Sequence, residues 1–321
     1  MSEVLLTVEQ NGGYPTGIPW VIEGGRRIAG HDDVRRTAEL RRGLERHGRV
    51  RVLPARAEDE AVEQTLGELH DREYLDALRS IEPGNPTVRA DLAPPGMSPD
   101  MPVDADAVAA AFEGVRTAIA AALHTLDGAR LVYALSRPPG HHAGPDWLAG
   151  YCYLNTTAAA AVTICEAGAR VGILDIDFHY PNGTSAIVED VEAIELHSLH
   201  SWPVTNVPER TAWPRTGREH VHEFRATPSV EAYLGAVSSS LEQMRGSVDA
   251  LVVSVGYDTV RGDPHGSWEF GPSIFGSIGR MLSATRLPIC AIQEGGYARD
   301  LLADCSDAFA GGLLEDRPES R

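Results

Sequence analysis

Residues 171–184 read VGILDIDFHYPNGT. The stretch begins as an apolar run typical of a buried strand, and then places Asp175, Asp177 and His179 at alternate positions. Alternate residues of a strand point to the same face, so these three side chains converge. Two carboxylates and an imidazole in apolar surroundings are costly unless a cation neutralises them. The stretch therefore predicts a metal site at the end of a core strand, in preference to a polar cluster that caps the next helix.

Apolar strand-like runs alternate with helical patterns along the 321 residues. One predicted helix runs from Asp104 to about Leu126, and another begins near Asp32 or Asp33 and ends at Gly48. This alternation predicts an α/β fold, a single domain over residues 1–321 with an open parallel sheet flanked by helices. Residues 83–103 and 201–228 break the alternation, and we predict long functional loops there.

The composition restricts the classes of partner. The formal net charge is −18 and the isoelectric point is near 5.0, which argues against nucleic acid or an anionic membrane and is compatible with a cationic substrate. The four cysteines form no C-x-x-C pair, so neither disulfides nor thiolate zinc sites are expected. No signal peptide or membrane span is predicted, and we expect a soluble cytoplasmic protein.

Other candidate site residues also follow predicted strands, where open parallel sheets bind ligands. Asp258 ends an apolar run and would complete an Asp2His ligand set, which suits Zn2+ and also Fe2+, Co2+ or Mn2+. His141 and His142, on a Pro- and Gly-rich turn, are candidates for proton transfer. Tyr297, after two glycines, is a candidate donor to a developing oxyanion.

Four stretches in this order, RPPGHHAGPDWLAGYCYLNTTAAAA, VGILDIDFHYPNGT, VVSVGYDTVRGDP and QEGGY, resemble the histone deacetylase superfamily. The resemblance runs from about residue 45 to 312 and is closest to the bacterial acetylpolyamine amidohydrolases. It implies the arginase-deacetylase fold, with Zn2+ on Asp177, His179 and Asp258. The implied function is a zinc-dependent amidohydrolase that removes an acetyl or other acyl group from a small amine such as an acetylpolyamine. His142 would act as general base and then acid, and Tyr297 would polarise the acyl carbonyl.

The resemblance also implies roles for neighbouring residues. His141 would be the electrostatic companion of His142 and bind Asp175, and Asn182 would orient His142. A structural monovalent cation, usually K+, would be held by Asp175 and Ser198 with the carbonyls of Asp177, His179 and Leu199. The substrate-binding residues implied are the tunnel-wall residues Gly150 and Tyr151 and the rim residue Asp100.

Three features depart from the family pattern, and all concern the pocket mouth. Tyr180-Pro181 replaces the usual His-Gly pair, and His265 stands where some polyamine-specific members present an acidic residue. The loop at 201–228 is short and carries Trp202, Trp213, His220 and His222 in place of a Gly-rich run. These departures make the hydrolytic reaction a firmer expectation than any particular substrate.

Several alternatives to an acetylpolyamine amidohydrolase stay open. They are a protein acetyl-lysine deacetylase, a deacylase for a specialised metabolite and a non-catalytic binding protein. An arginase-like dimanganese ureohydrolase shares the fold, but the GHHA and GGY motifs argue against it. The expected partner is a small acylated amine, with no nucleic acid and no membrane, and a homodimer is an open alternative to a monomer.

Overall fold

The computed structural model describes residues 3–12, 17–202 and 217–315. Its strands are β1 (Leu5–Glu9), β2 (Trp20–Glu23), β3 (Arg26–Ala29), β4 (Val50–Pro54), β5 (Leu131–Leu135), β6 (Val171–Asp175), β7 (Ile194–Ser201), β8 (Glu219–Phe224), β9 (Ala250–Val255) and β10 (Ile289–Gln293). Its α-helices are α1 (Val34–Leu44), α2 (Asp59–Leu69), α3 (Arg72–Arg79), α4 (Ala105–Leu126), α5 (Thr156–Glu166), α6 (Asn182–Val188), α7 (Val230–Gln243), α8 (Ser273–Ala284) and α9 (Arg299–Leu314).

Eight strands form one parallel sheet in the order β4-β1-β5-β10-β9-β6-β7-β8. Every residue of the central strands β5, β10, β9 and β6 is buried, which explains why their sequences are continuous apolar runs. Helices α2 to α5 contribute to the core on one face, and α1, α7, α8 and α9 contribute to the core on the other. The predicted α/β fold with an open parallel sheet is confirmed.

Helix α4 confirms the predicted helix almost to the residue, because the Asp104 side chain caps its start by accepting from the backbone N–H groups of Asp106 and Ala107. The helix is long and apolar enough to match a membrane span by length and composition, which the sequence analysis did not expect of any segment. Its most apolar window is 67% buried inside the fold. Burial of that kind is the property of a core helix.

Two sequence predictions at the periphery are wrong in part. Helix α1 is capped by Asp33 as predicted, but it ends at Leu44 and not at Gly48. The stretch 201–228, predicted as a loop, contains the edge strand β8, whose residues are all half-buried. A half-buried edge strand carries a weak apolar signal, which is why the pattern failed there. Trp213 lies outside the described residues.

Candidate active site

The carboxyl ends of the neighbouring strands β6 and β9 bring the three predicted metal ligands together. His179 Nδ1 lies 2.9 Å from Asp258 Oδ2 and 3.1 Å from Asp177 Oδ1. Both carboxylates are fully buried, and one ligand atom from each of the three residues lies within 4.8 Å of the others. Loops that are distant in sequence therefore create a compact donor set of two carboxylates and one imidazole.

The electrostatics of this donor set fit a bound cation. Burial, followed by the charge of Asp177, raises the pKa of Asp258. Burial acts in the same direction on Asp177, but the charges of His141 and His179 lower the pKa of that carboxyl. A Cβ atom at Gly256 would lie 2.1 Å from Asp177 Oδ2, so only glycine leaves room for the carboxylate. Two buried acids held this close are the oxygen ligands that a divalent metal ion requires.

His142 is held as a neutral base. Its Nδ1 lies 2.6 Å from Asn182 Oδ1, an acceptor, so Nδ1 carries the proton and Nε2 keeps a free lone pair. Burial, and then the charges of His141 and His179, lower the pKa of His142 well below its ordinary value. Gly150 has a φ of +53°, and a Cβ there would lie 2.4 Å from the His142 ring. Glycine at 150 is thus a steric requirement of the His142 position.

His141 carries the positive charge of the pair. Its Nδ1 lies 3.2 Å from Asp175 Oδ2, and its Nε2 lies 3.6 Å from Asp177 Oδ1. Burial lowers the pKa of His141, but the charges of Asp177 and Asp175 outweigh it and raise that pKa to about 10. The two histidine rings lie 4.2 Å apart between centroids. One imidazole is therefore protonated and its neighbour is free to accept a proton.

The unusual Tyr180-Pro181 pair positions Asn182. Pro181 immediately precedes α6, so Asn182 is the first residue of that helix, a place where a proline before it costs no intrahelical hydrogen bond. The Tyr180 hydroxyl donates to the Glu219 carboxylate on β8 and accepts from the Ser185 hydroxyl, whose Oγ lies 2.9 Å away. The pair thus joins α6 to the sheet edge and keeps Asn182 directed toward His142.

Two further residues hold the site together and were not identified from the sequence. Glu294 accepts from the backbone N–H groups of Gly140 at 2.6 Å and His141 at 3.1 Å. Arg36 donates to the Gly296 and Glu294 carbonyls, each at 2.7 Å. Glu294 belongs to the quoted QEGGY stretch, which was a signal, whereas nothing in the sequence around Arg36 indicates its role.

Tyr297 faces the same cavity. The Arg36 guanidinium stacks over the Tyr297 ring at 4.4 Å from the centroid. The backbone N–H of Tyr297 donates to Asp263 Oδ2 at 2.6 Å. Burial raises the pKa of Tyr297 well above its ordinary value, although Arg36 acts in the opposite direction. The phenol stays protonated as a hydrogen-bond donor. No hydrogen bond to its hydroxyl occurs within the part of the chain that the structure describes.

The metal-ligand candidates, both histidines of the pair and Tyr297 line a cavity of about 490 Å³, to which Glu23, Asp100 and Arg225 also contribute. The Tyr151 hydroxyl lies 2.9 Å from His265 Nε2, so the predicted wall residue Tyr151 contacts the predicted mouth residue His265. His265 Nδ1 lies 2.8 Å from Glu23 Oε1 on the hairpin β2-β3. Trp202 also lines the cavity. His265 stands where some polyamine-specific family members have an acidic residue. In this structure Glu23 supplies a carboxylate beside that position.

The residues predicted to hold K+ lie around the junction of β6 and β7. Asp175 and Ser198 are register partners on these strands, and both are fully buried. Asp175 Oδ1 accepts from the Asp177 backbone N–H at 3.0 Å, and Ser198 Oγ bonds His200 Nδ1 at 2.8 Å. Leu199 follows on β7. The monovalent cation stays a prediction.

Asp100 lies at the cavity wall with 9% of its surface exposed. Its Oδ2 accepts from the Gly150 backbone N–H at 2.9 Å, while Oδ1 is buried and bonds no group in the described ranges 3–12, 17–202 and 217–315. Burial, supported by the charge of Glu23, raises the pKa of Asp100 from 3.8 to about 6. One carboxylate oxygen is thus committed to positioning Gly150.

The raised pKa of Asp100 predicts a pH-dependent effect of Asp100→Asn on stability. Between about pH 4 and pH 6 the native state keeps a proton that the unfolded chain has released, so the free energy of unfolding falls as pH rises. Asparagine does not ionise and so does not show this decrease. From pH 4 to pH 7, the free energy of unfolding of the variant should therefore rise by up to about 3 kcal/mol relative to that of the parent chain. Urea titrations at both pH values measure this difference.

Asp91→Asn is the matched control, because the hydrogen bond from Arg89 lowers the pKa of that exposed carboxyl. Its relative stability should change slightly in the opposite direction over the same pH range. A difference for Asp100→Asn that is the same at pH 4 and pH 7 would contradict the raised pKa.

Comparisons with known proteins agree with this geometry. A family model described as the histone deacetylase domain matches residues 31–313. An acetylpolyamine amidohydrolase of Burkholderia pseudomallei is 36% identical over 212 residues, covering 64% of this chain and 62% of that protein. Acetylpolyamine amidohydrolase 1 of Pseudomonas aeruginosa is 33% identical over 208 residues, covering 62% of this chain and 60% of that protein. The matches thus span about three fifths of the length of these curated relatives.

The fold agrees over a wider range. The crystal structure of acetylpolyamine aminohydrolase from Burkholderia pseudomallei aligns with a TM-score of 0.85 at 26% identity, covering 97% of this chain and 98% of that one. The matched family range contains all four motif stretches and the elements that carry the candidate ligands. The chain therefore belongs to the histone deacetylase family.

Proposed function

We propose that the protein is a metal-dependent amidohydrolase that removes an acetyl group from a small cationic amine, such as an acetylpolyamine. The observation that carries the proposal is the convergence in one cavity of a buried Asp2His donor set, a paired imidazole base and a protonated phenol. Asp177, His179 and Asp258 would hold the ion. When bound, an ion such as Zn2+ would supply Lewis-acid activation of water and of the acyl carbonyl.

The chain's own groups would manage the protons. His142, neutral and with Nε2 free, accepts a proton from the attacking water and then returns it to the leaving amine. His141, kept protonated by Asp175 and Asp177, supplies positive charge beside the developing negative charge. The Tyr297 hydroxyl donates a hydrogen bond to the carbonyl oxygen as it becomes an oxyanion. The products are acetate and the free amine.

The charge at the mouth supports a cationic substrate. Glu23 and Asp100 line the cavity together with the exposed Arg225, and Asp100, with a pKa of about 6, is ionised at neutral pH. Glu23, which is the more exposed of the two carboxylates, favours a substrate whose free end is an ammonium group. The relatives named as acetylpolyamine amidohydrolases are consistent with that class.

Glu23→Gln tests the proposal. Gln keeps a carbonyl acceptor for His265 but removes the charge, so the KM for acetylputrescine should rise about tenfold with little change in kcat. The KM for uncharged N-butylacetamide should stay within about twofold, because that substrate carries no ammonium group. Acetate release by the Zn2+-loaded protein measures both constants.

The same assay includes acetylspermidine, acetylcadaverine and acetyl-lysine peptides. Preference for the polyamines is expected, whereas turnover of the peptides alone would transfer the proposal to a protein deacetylase. An absence of turnover with every substrate, from protein that holds a metal ion, would contradict the amidohydrolase proposal itself.

A further inference from the structure

A second cluster of potential metal ligands lies on the edge of the sheet. Strands β7 and β8 are parallel, with His197 opposite His220 and Leu199 opposite His222. Because side chains alternate along a strand, Glu195 and His197 share one face of β7. Leu199 lies on the same face of β7 and belongs to the core to which α7 contributes, so this face of the strand is directed toward that core. Three imidazoles and a carboxylate thus lie on one face at one edge.

His197 is the most unusual member of this cluster. Its side chain is 0% exposed, and neither ring nitrogen bonds any group among the described residues. Burial, followed by the charges of His220 and His222, lowers its pKa to about 3, so the ring is neutral. A buried polar group without a partner destabilises the fold, and a ligand that used one of these nitrogens would offset part of that loss.

The donor atoms around His197 lie close together. Its ring is nearly parallel to that of His220, at 4.4 Å between centroids and 20° between planes, so one ring would turn about its Cβ–Cγ bond when both bind a single ion. Glu195, His197 and His220 each offer a ligand atom within 4.8 Å of the others. Ser247 Oγ donates to Glu195 Oε1 at 2.7 Å, which fixes the carboxylate as second-layer hydrogen bonds do in metal sites. Glu195 and His220 are half-buried, so solvent reaches the cluster.

We propose that Glu195, His197 and His220 form a second metal site, distinct from the active site, which takes a divalent first-row transition ion such as Zn2+. Two imidazoles and one carboxylate are ligands that Zn2+ favours, with water in the remaining position. His197 pairs with Leu174 on β6, three residues before Asp177, which separates the two sites by roughly 10 Å along the strand direction. The ion would tie β8 to β7 and stabilise the sheet edge.

The test counts metal ions in the full chain. Chelator-treated protein is reloaded with Zn2+, freed of excess ion by gel filtration and analysed for zinc per chain by mass spectrometry. His220→Ala should remove about one zinc ion per chain both from the parent chain and from an Asp258→Asn background, in which the active site is impaired. The rise in Tm that Zn2+ gives in the Asp258→Asn background should also be lost. His124→Ala, a half-buried histidine on α4, is the matched control and should remove none.

The outcomes separate this proposal from the proposed function. Zinc content unchanged by His220→Ala in both backgrounds would overturn the second site. A loss in the parent chain alone would show that the substitution acts on the active-site ion, and would overturn it too. If His220→Ala misfolds by circular dichroism, Glu195→Gln decides. That variant keeps an acceptor for Ser247 and should weaken zinc affinity, so unchanged affinity would contradict the proposal.

Discussion

Alanine in place of His142 is expected to lower kcat for acetate release by about 100- to 10,000-fold, the range typical for loss of a general acid–base residue. The Nε2 lone pair is available because Asn182 fixes the proton on Nδ1 and because burial and nearby charges lower the pKa of the ring. No other neutral imidazole occupies that position among the described cavity residues. His141 bonds Asp175 through Nδ1. Burial lowers the pKa of His141, but the charges of Asp177 and Asp175 raise that pKa and favour the protonated form.

The metal content of His142→Ala is the decisive accompanying measurement. His142 is not a member of the Asp177, His179 and Asp258 donor set, so zinc per chain should equal that of the parent chain. His124→Ala serves as the matched control for an unrelated histidine and should keep full activity. A His142→Ala protein that retains more than about a tenth of kcat would remove His142 from the role of base.

The sheet could be predicted because its signals are local. The four central strands are buried along their whole length, namely β5, β6, β9 and β10. A parallel strand that is buried on both faces has an uninterrupted apolar sequence. The edge strand β8 and the hairpin β2-β3 are only partly buried. Their conformation depends on tertiary neighbours more than on a periodic pattern, so the sequence predicted a loop at β8 and no element at the hairpin.

The proximity of the candidate ligands could also be predicted from the sequence, because they lie beside strand ends. Asp177 and His179 follow β6, and Asp258 follows β9, so parallel-sheet geometry alone brings them together. The supporting residues were inaccessible for the opposite reason. Arg36 bonds the carbonyls of Glu294 and Gly296 from the far end of the chain, and no local pattern records such a contact.

The pocket mouth shows the same limit. From the sequence, His265 was identified as a departure from acidic residues in similar positions, and Asp100 was the one carboxylate expected at the rim. The structure places Glu23, from a hairpin that the sequence did not predict, 2.8 Å from His265. The position of Glu23 is therefore a tertiary property, and it agrees with the cationic substrate that the sequence already favoured.

Tyr297→Phe is expected to lower kcat by about 100- to 1,000-fold and to leave KM within about threefold, because the phenol acts on the oxyanion and little on the ground state. That loss equals about 2.7–4 kcal/mol of transition-state stabilisation. Phenylalanine keeps the ring beneath the Arg36 guanidinium, and the tether from the backbone N–H to Asp263 is unaffected. The fold should therefore survive, which an unchanged Tm would verify.

Tyr151→Phe is the matched control, since its ring lies 5.2 Å from that of Tyr297 between centroids. The Tyr151 hydroxyl is already engaged, accepting from the His31 backbone N–H at 3.1 Å and bonding His265. Its removal should alter the mouth and therefore KM more than kcat. Equal losses of kcat in the two variants would mean that both phenols only shape the cavity and that Tyr297 has no special role at the oxyanion. A loss confined to Tyr297→Phe is what a hydroxyl directed at the reacting carbonyl requires.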